Sequence, residues 1–204
     1  MGTASSPVDR GIIAARVAGF PRLAADRPDL KSAAVAVCVT IRDGVPCLLI
    51  TRRAARLRAH SGQWALPGGR REDGESAERG ALRELAEEVG LELGADSVLG
   101  VLDDYPTRSG YNVTPVVCWA GPTGPLTGNE AEVASVHQVP LADFDVEPRL
   151  VSIPESDAPV IQLPLLGDYL HAPTAAIVHQ FCRIACRGQV HRVGHYEQPV
   201  WAWR

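Results

Sequence analysis

GRREDGESAERGALRELAEEVGL, residues 69–91, decides the fold of this chain. Ser76 is a good N-cap residue. Glu78 puts an acid in the first turn, near the positive end of the helix dipole. From Ala81 to Glu88 nearly every residue is a strong helix former, and Gly90 suits a left-handed helix end. The spacing predicts a helix over residues 77–89. At about 100° per residue, Leu82, Leu85, Ala86 and Val89 form an apolar stripe that faces a core. Glu84, Glu87 and Glu88 fall on the opposite side, within an arc of roughly 100°. Three like charges this close repel one another and weaken the helix. A hard divalent cation such as magnesium or manganese turns that cost into a binding site, because it takes oxygen ligands. An acidic run alone is more often a solvated face, so the flanking residues have to decide.

They favour the metal. Pro67, Gly68 and Gly69 make a loop in which backbone approaches a ligand closely. The segment also fits the pattern G-x5-E-x7-R-E-U-x-E-E-x-G-U, U being aliphatic, at Gly69, Glu75, Arg83, Glu84, Leu85, Glu87, Glu88, Gly90 and Leu91. On these residues the chain resembles the Nudix hydrolases, which cleave a nucleoside diphosphate linked to another group. The resemblance implies that Glu84, Glu87 and Glu88, with the carbonyl of Gly69, hold the metal. It gives Glu75 and Arg83 supporting roles. Arg83 also stands one turn from Glu87, the spacing of a plain ion pair.

The rest of the chain is compatible. Its 204 residues allow one sizeable domain with extensions. Hydrophobic content of 46% and charged content of 22% are ordinary for a globular protein. A net charge of −4 gives no polyanion-binding surface, which argues against nucleic acid as partner. A charged substrate therefore falls to metal and local arginines; Lys31 is the only lysine. The odd set of cysteines (Cys38, Cys47, Cys118, Cys182, Cys186) and the lack of a recognisable signal peptide suggest reduced thiols in the cytoplasm. No apolar run approaches membrane-spanning length. The opening MGTASS fits a short, common myristoylation pattern.

Ser6, Pro7 and Asp9 read as a helix start, with Ile12, Ile13 and Val17 as its apolar side and Gly19, Phe20 and Pro21 ending it. Strands are predicted over 33–41 and 46–51 around an Asp43-Gly44 turn, then over 97–102, 113–120 and 132–139. Residues 121–128 read as a loop and the proline-rich 146–173 as irregular. A helix over 173–187 buries Ile177, Val178, Phe181 and Ile184 and stops at Gly188, and a short strand pair finishes the chain. These elements divide into an N-terminal helical extension (1–32), a core (33–145) and a C-terminal helix and tail (146–204) packed on the same domain. They fit an α/β class, a mixed sheet between helices, which is also the α/β/α sandwich of the Nudix fold.

Two further stretches narrow the substrate. LITRRAARLRAHSGQWALPGG, residues 49–69, resembles a signature of the coenzyme A pyrophosphatase branch at Thr51, Arg53, Ala54, Arg58, Gly62, Pro67, Gly68 and Gly69. It departs from it at Ile50 and Leu66. TRSGYNVTPVV, residues 107–117, resembles a second stretch of that branch. Independently, Arg52, Arg53, Arg56, Arg58 and His60 precede the glycine loop, and arginine forks bind phosphate. Arg53 and Arg58 are read as substrate ligands, Arg52 and Arg56 as a solvated turn. Trp64 suits either an adenine stack or a core position. Coenzyme A carries a diphosphate and a separate 3′-phosphate, so several arginines have a use.

The implied chemistry is metal-assisted hydrolysis of a phosphoanhydride in a small-molecule nucleotide, with Glu84 or Glu132 as base. A pyrophosphatase for ADP-ribose or a related compound, and a non-catalytic Nudix-like nucleotide sensor, are the alternatives. Sensors tend to lose the carboxylates that are all kept here. His179, Cys182, Cys186, His191 and His195 hint at zinc, but four residues between Cys186 and His191 are far fewer than a zinc finger uses. Cys182 and Cys186 equally suit a buried helix face.

Overall fold

The computed structural model describes residues 8–55 and 62–203. After helix α1 (Arg10–Ala18) come strands β1 (Lys31–Arg42) and β2 (Val45–Arg53), the two-residue β3 (Trp64–Ala65) and β4 (Gly68–Arg70). Helix α2 (Ala77–Val89) leads to β5 (Val98–Val101), β6 (Tyr105–Pro106), β7 (Tyr111–Pro122) and β8 (Val133–Pro140). The one-turn helix α3 (Leu141–Phe144), strands β9 (Arg149–Ile153), β10 (Ser156–Leu165) and β11 (Asp168–His171), and helix α4 (Thr174–Ala185) complete the order.

The main sheet has eight strands in the path β3-β2-β1-β7-β5, with β4 on β1, β6 on β7 and β8 on β2. It is mixed: β1 runs parallel to β7, and its other pairings are antiparallel. Asp43 and Gly44 have φ of 52° and 77°, so the β1–β2 connection is the tight turn whose twist suits a hairpin.

Alternation along β1 sets the layers. Ala34, Ala36 and Cys38 face α2 with Leu49, Val116 and Cys118. Val37 and Val39 face the other way, with Leu48, Ile50 and Val117, into a larger core shared with α1, α4 and the second sheet. The small side chains on the α2 side let that helix lie close to the strands. α4 buries ten of its twelve residues, which makes it an interior helix, packed against α1, α3, β10 and β11.

The α/β sandwich with a mixed sheet is the expected class; the C-terminal third differs from expectation. Residues 146–173, read as irregular, hold the three-stranded sheet β11-β10-β9. Its signal is the buried alternation Ile161, Leu163, Leu165, masked by Pro159 and Pro164 in a region that otherwise reads as loop. Leu166 and Gly167, both at positive φ, make the β10–β11 turn. Nor does a strand pair end the chain: it closes with a 3-10 turn at Val200–Trp203 and one bridge between Val160 and Glu197.

Candidate active site

α2 begins and ends where its sequence dictates. The Ser76 hydroxyl accepts from the Arg79 amide at 3.2 Å, and Gly90, at φ 69°, donates to the Ala86 carbonyl. The buried face, however, is rotated from the expected stripe. Leu82 and Ala86 are only half-buried, while Ala81, Leu85, Glu88 and Val89 lie against the sheet. Glu88 is therefore not on a solvated side: it is 3% exposed. The alanine-lined strand beneath draws in Ala81, and Glu88 turns inward with it, to a polar partner in the glycine loop.

That partner is the Gly68 amide, which donates to Glu88 Oε2 at 3.3 Å. The loop is anchored on β1, where the Ala36 amide donates to the Pro67 carbonyl at 2.8 Å and β4 pairs with residues 33–35. A Cβ on Gly69 would stand 2.5 Å from Glu84 Oε1. The absence of a side chain at Gly69 thus brings loop backbone and Glu84 carboxylate together.

Arg83 organises the other flank. Its Nε and Nη2 donate to Glu75 at 3.0 and 3.2 Å, Nη1 to Glu84 at 2.9 Å and Glu87 at 3.1 Å, and Nη2 also to the Arg70 carbonyl at 3.1 Å. The ion pair with Glu87 expected from spacing is present, and the same guanidinium ties helix to loop. The hydrogen bond from Arg83 holds the Glu75 carboxyl below its ordinary range.

The inner carboxylates behave in the opposite way. Burial raises the Glu84 carboxyl, against Arg83. Burial pushes Glu88 up to about 7; Arg53 opposes the rise, and Glu84 and Glu132 add to it. Arg53 offers Glu88 only a long contact, Nη1 to Oε1 at 3.8 Å, and its own Nε is buried without a partner among the described residues. Glu132 is exposed, but its turn packs on the site. The Asn129 amide donates to the Glu88 carbonyl and the Ala54 amide to the Glu132 carbonyl, both at 2.8 Å.

This donor set fits a hard divalent cation. It is all oxygen, and neighbouring acids add to the effect of burial: Glu84 and Glu132 raise the proton affinity of the buried Glu88, and Glu87 and Glu132 raise that of the half-buried Glu84. Among the described residues no three acidic, histidine or cysteine side chains close on one point; Arg83 supplies the positive charge that keeps Glu84 and Glu87 together.

Arg53 is brought to this site. Arg56, Arg58 and His60 lie outside the described residues. Arg52 points elsewhere, donating to the Gly62 carbonyl at 3.1 Å and lying 5.4 Å from the Trp64 ring. Trp64 is half-buried, with its indole N–H on Asp168 at 3.3 Å. Of the tail, the His179 and His191 rings meet edge to face at 4.8 Å, and burial holds His179 down at about 4. All five cysteines are free. No helix among the described residues is long and apolar enough to cross a membrane. Arg71, which donates to the Glu75 carbonyl and lines a cavity beside the first turn of α2, is not revealed by spacing, because it occupies an unconstrained place in the pattern.

Comparison with known proteins agrees. The NUDIX domain family model matches residues 30–162, a span that takes in β9 and most of β10 as well as the expected core. A relative from Cronobacter sakazakii, called "Uncharacterized Nudix hydrolase NudL", is 43% identical over 124 residues, 60% of this chain and 64% of its own. One of the same name from Escherichia coli K12 is 41% identical over 123 residues, with the same coverage. The match thus spans less than two thirds of these relatives' length. Among solved structures, a Nudix hydrolase from M. smegmatis, RenU, aligns with a TM-score of 0.53 at 20% identity, covering 79% of this chain and 89% of that one. A NUDIX hydrolase from Alicyclobacillus acidocaldarius aligns with 0.51 at 19% identity, covering 78% and 92%. At these identities the likeness is one of fold.

Proposed function

The chain belongs to the Nudix family, and from that premise we propose that it hydrolyses the diphosphate of coenzyme A or acyl-coenzyme A, yielding 3′,5′-ADP and a 4′-phosphopantetheine product. The observation that carries this reading is a convergence. Arg53, from the 49–69 stretch, stands against Glu88 of α2. Thr114, from the 107–117 stretch, lies on the same row of the sheet as Gly69, with Ala34 between them. Both stretches that resemble the coenzyme A branch thus border the candidate metal site.

Glu84, Glu87, Glu88 and the Gly69 carbonyl are the groups that hold magnesium or manganese, which supplies charge neutralisation of the diphosphate and a more acidic water. Arg83 and Glu75 orient the carboxylates. Arg53 and Arg58 bind phosphate oxygens. Glu84 or Glu132 takes the proton from the attacking water; Glu84 is one of the two inner carboxylates, and the charge of Glu132 acts on both of them. The expected place of work is the cytoplasm, on a small-molecule nucleotide substrate.

A substrate panel with product identification tests the reading. Coenzyme A is expected to exceed dephospho-coenzyme A by about tenfold to a hundredfold in kcat/KM, the scale of one charge-assisted hydrogen bond, and both to exceed ADP-ribose. If ADP-ribose is the best substrate, the coenzyme A assignment fails and the family stands. If no compound turns over with magnesium, the chain is a nucleotide sensor. Arg53→Ala and Arg58→Ala are expected chiefly to raise KM, the signature of a contact made equally in ground and transition states. An unchanged KM in both returns these arginines to a solvated turn.

A further inference from the structure

On the α2 face of the sheet, beside the helix's first turn, lies a cavity of about 500 Å³ lined by Arg22, Arg27, Arg71, Asn112 and Thr114, with Glu78 at its wall. The arginines share one arrangement. Each is pinned through Nε and Nη2: Arg22 on the Leu102 carbonyl and Asp104, Arg27 on Asp29, and Arg71 on the Glu75 carbonyl. Each leaves Nη1 without a protein acceptor among the described residues. Guanidinium groups held in place by one edge, with donors to spare on the other, are prepared for an oxyanion. Fixing them in advance lowers the ordering cost of binding.

The position suggests whose oxyanion it is. Ala34 pairs with Gly69 on one side and Thr114 on the other, so cavity wall and glycine loop are two strand spacings apart, roughly 10 Å. Arg71 stands two residues beyond Gly69, roughly 7 Å along the strand direction. That is the scale on which a ribose separates a 5′-diphosphate from a phosphate on its 3′-oxygen. We propose that this cavity is a phosphate-monoester site, in which Arg22, Arg27 and Arg71 receive the 3′-phosphate of the substrate while its diphosphate lies at the carboxylates. The proposal rests on the function proposed above and assigns the 3′-phosphate to residues outside the 49–69 stretch. Asp104, also in the lining, and Asp29 are already paired with Arg22 and Arg27; Glu78 is the remaining acid of the lining and opposes the phosphate by charge, so its removal strengthens binding.

The test uses the metal-free full chain titrated with 3′,5′-ADP, 5′-ADP and inorganic phosphate, together with kcat/KM for coenzyme A and dephospho-coenzyme A. 3′,5′-ADP is expected to bind at least tenfold tighter than 5′-ADP. Arg71→Gln and Arg27→Ala, the latter on an exposed residue, are each expected to remove most of that difference and to bring the coenzyme A to dephospho-coenzyme A ratio toward one. Glu78→Gln is expected to raise 3′,5′-ADP affinity. Wild-type selectivity that survives in both arginine variants overturns the proposal and leaves the proposed function standing. Failure of the wild type to cleave coenzyme A, with 3′,5′-ADP still preferred and that preference lost in the variants, overturns the function and keeps the site. Inorganic phosphate binding that the variants abolish without changing selectivity overturns the assignment to substrate, making free phosphate the occupant.

Discussion

Glu88→Gln is expected to cut turnover by on the order of a hundredfold or more while the fold survives, and Glu84→Gln to do the same. Each keeps the side chain's shape and removes a charge that holding the metal requires. Glu88 also makes a prediction without substrate. Its carboxyl titrates at about 7 in the folded chain against a reference of 4.5, burial being the main cause. Between those pH values the folded protein keeps a proton that the unfolded chain has released, so the stability of metal-free protein falls as pH rises through that window. The full effect is about 3 kcal/mol. The Gln variant lacks this slope and, without metal, is the more stable protein above pH 7. Magnesium then stabilises the wild type by binding the folded state, and the variant far less. Denaturant unfolding from pH 4.5 to 8, with and without magnesium, reads all of this. Near-normal turnover of either variant at saturating magnesium removes these carboxylates from the metal site.

Gly68→Ala and Gly69→Ala are expected to fail in different ways, although the residues are adjacent. A Cβ on Gly68 would stand 2.4 Å from the Ala34 carbonyl oxygen and 2.7 Å from the Val35 Cα. Both are backbone atoms of a central strand, so β4 has to leave β1. The cost is that of overpacking, about 1–3 kcal/mol, or a melting temperature lower by several degrees. The three atoms nearest a Cβ on Gly69 would all belong to the Glu84 carboxyl, at 2.5–2.9 Å. That carboxyl is the far end of a flexible side chain and swings away, so the fold holds while the metal ligand is displaced. Turnover falls at least tenfold at nearly unchanged melting temperature. Thermal melts and kinetics on both variants separate the two cases; equal loss of stability in both overturns the division.

The helix was fully legible in residues 69–91, because its signals are local. Ser76, Gly90 and the helix formers between them act within a turn or two, and the helix runs over Ala77–Val89 as read. The acidic set was legible for the same reason, since spacing in a helix fixes which carboxylates are neighbours. The strands β1, β2, β7 and β8 were legible through apolar runs and turn residues; β1, β2 and β7 run beyond their reading at both ends, and β8 is shifted by one residue. The β9–β11 sheet was not, because Pro159 and Pro164 give a local signal for loop and only packing on α3 and α4 overrides it. Which way α2 rolls on the sheet was not legible either. Ala34, Ala36 and Cys38 set how close the helix comes, and they lie more than thirty residues before it in the chain. That roll puts Glu88 inside and leaves Glu87 on Arg83 at the surface. Arg22, Arg27 and Arg71 come from three separate segments, and their meeting depends on the pairing of β1 with both β4 and β7. Sequence alone determined the fold class, the helix and the identity of the acids, since these follow from nearest neighbours along the chain. Tertiary structure alone decided which acid is buried and where the free arginine edges gather, since burial and long-range register depend on residues distant in sequence.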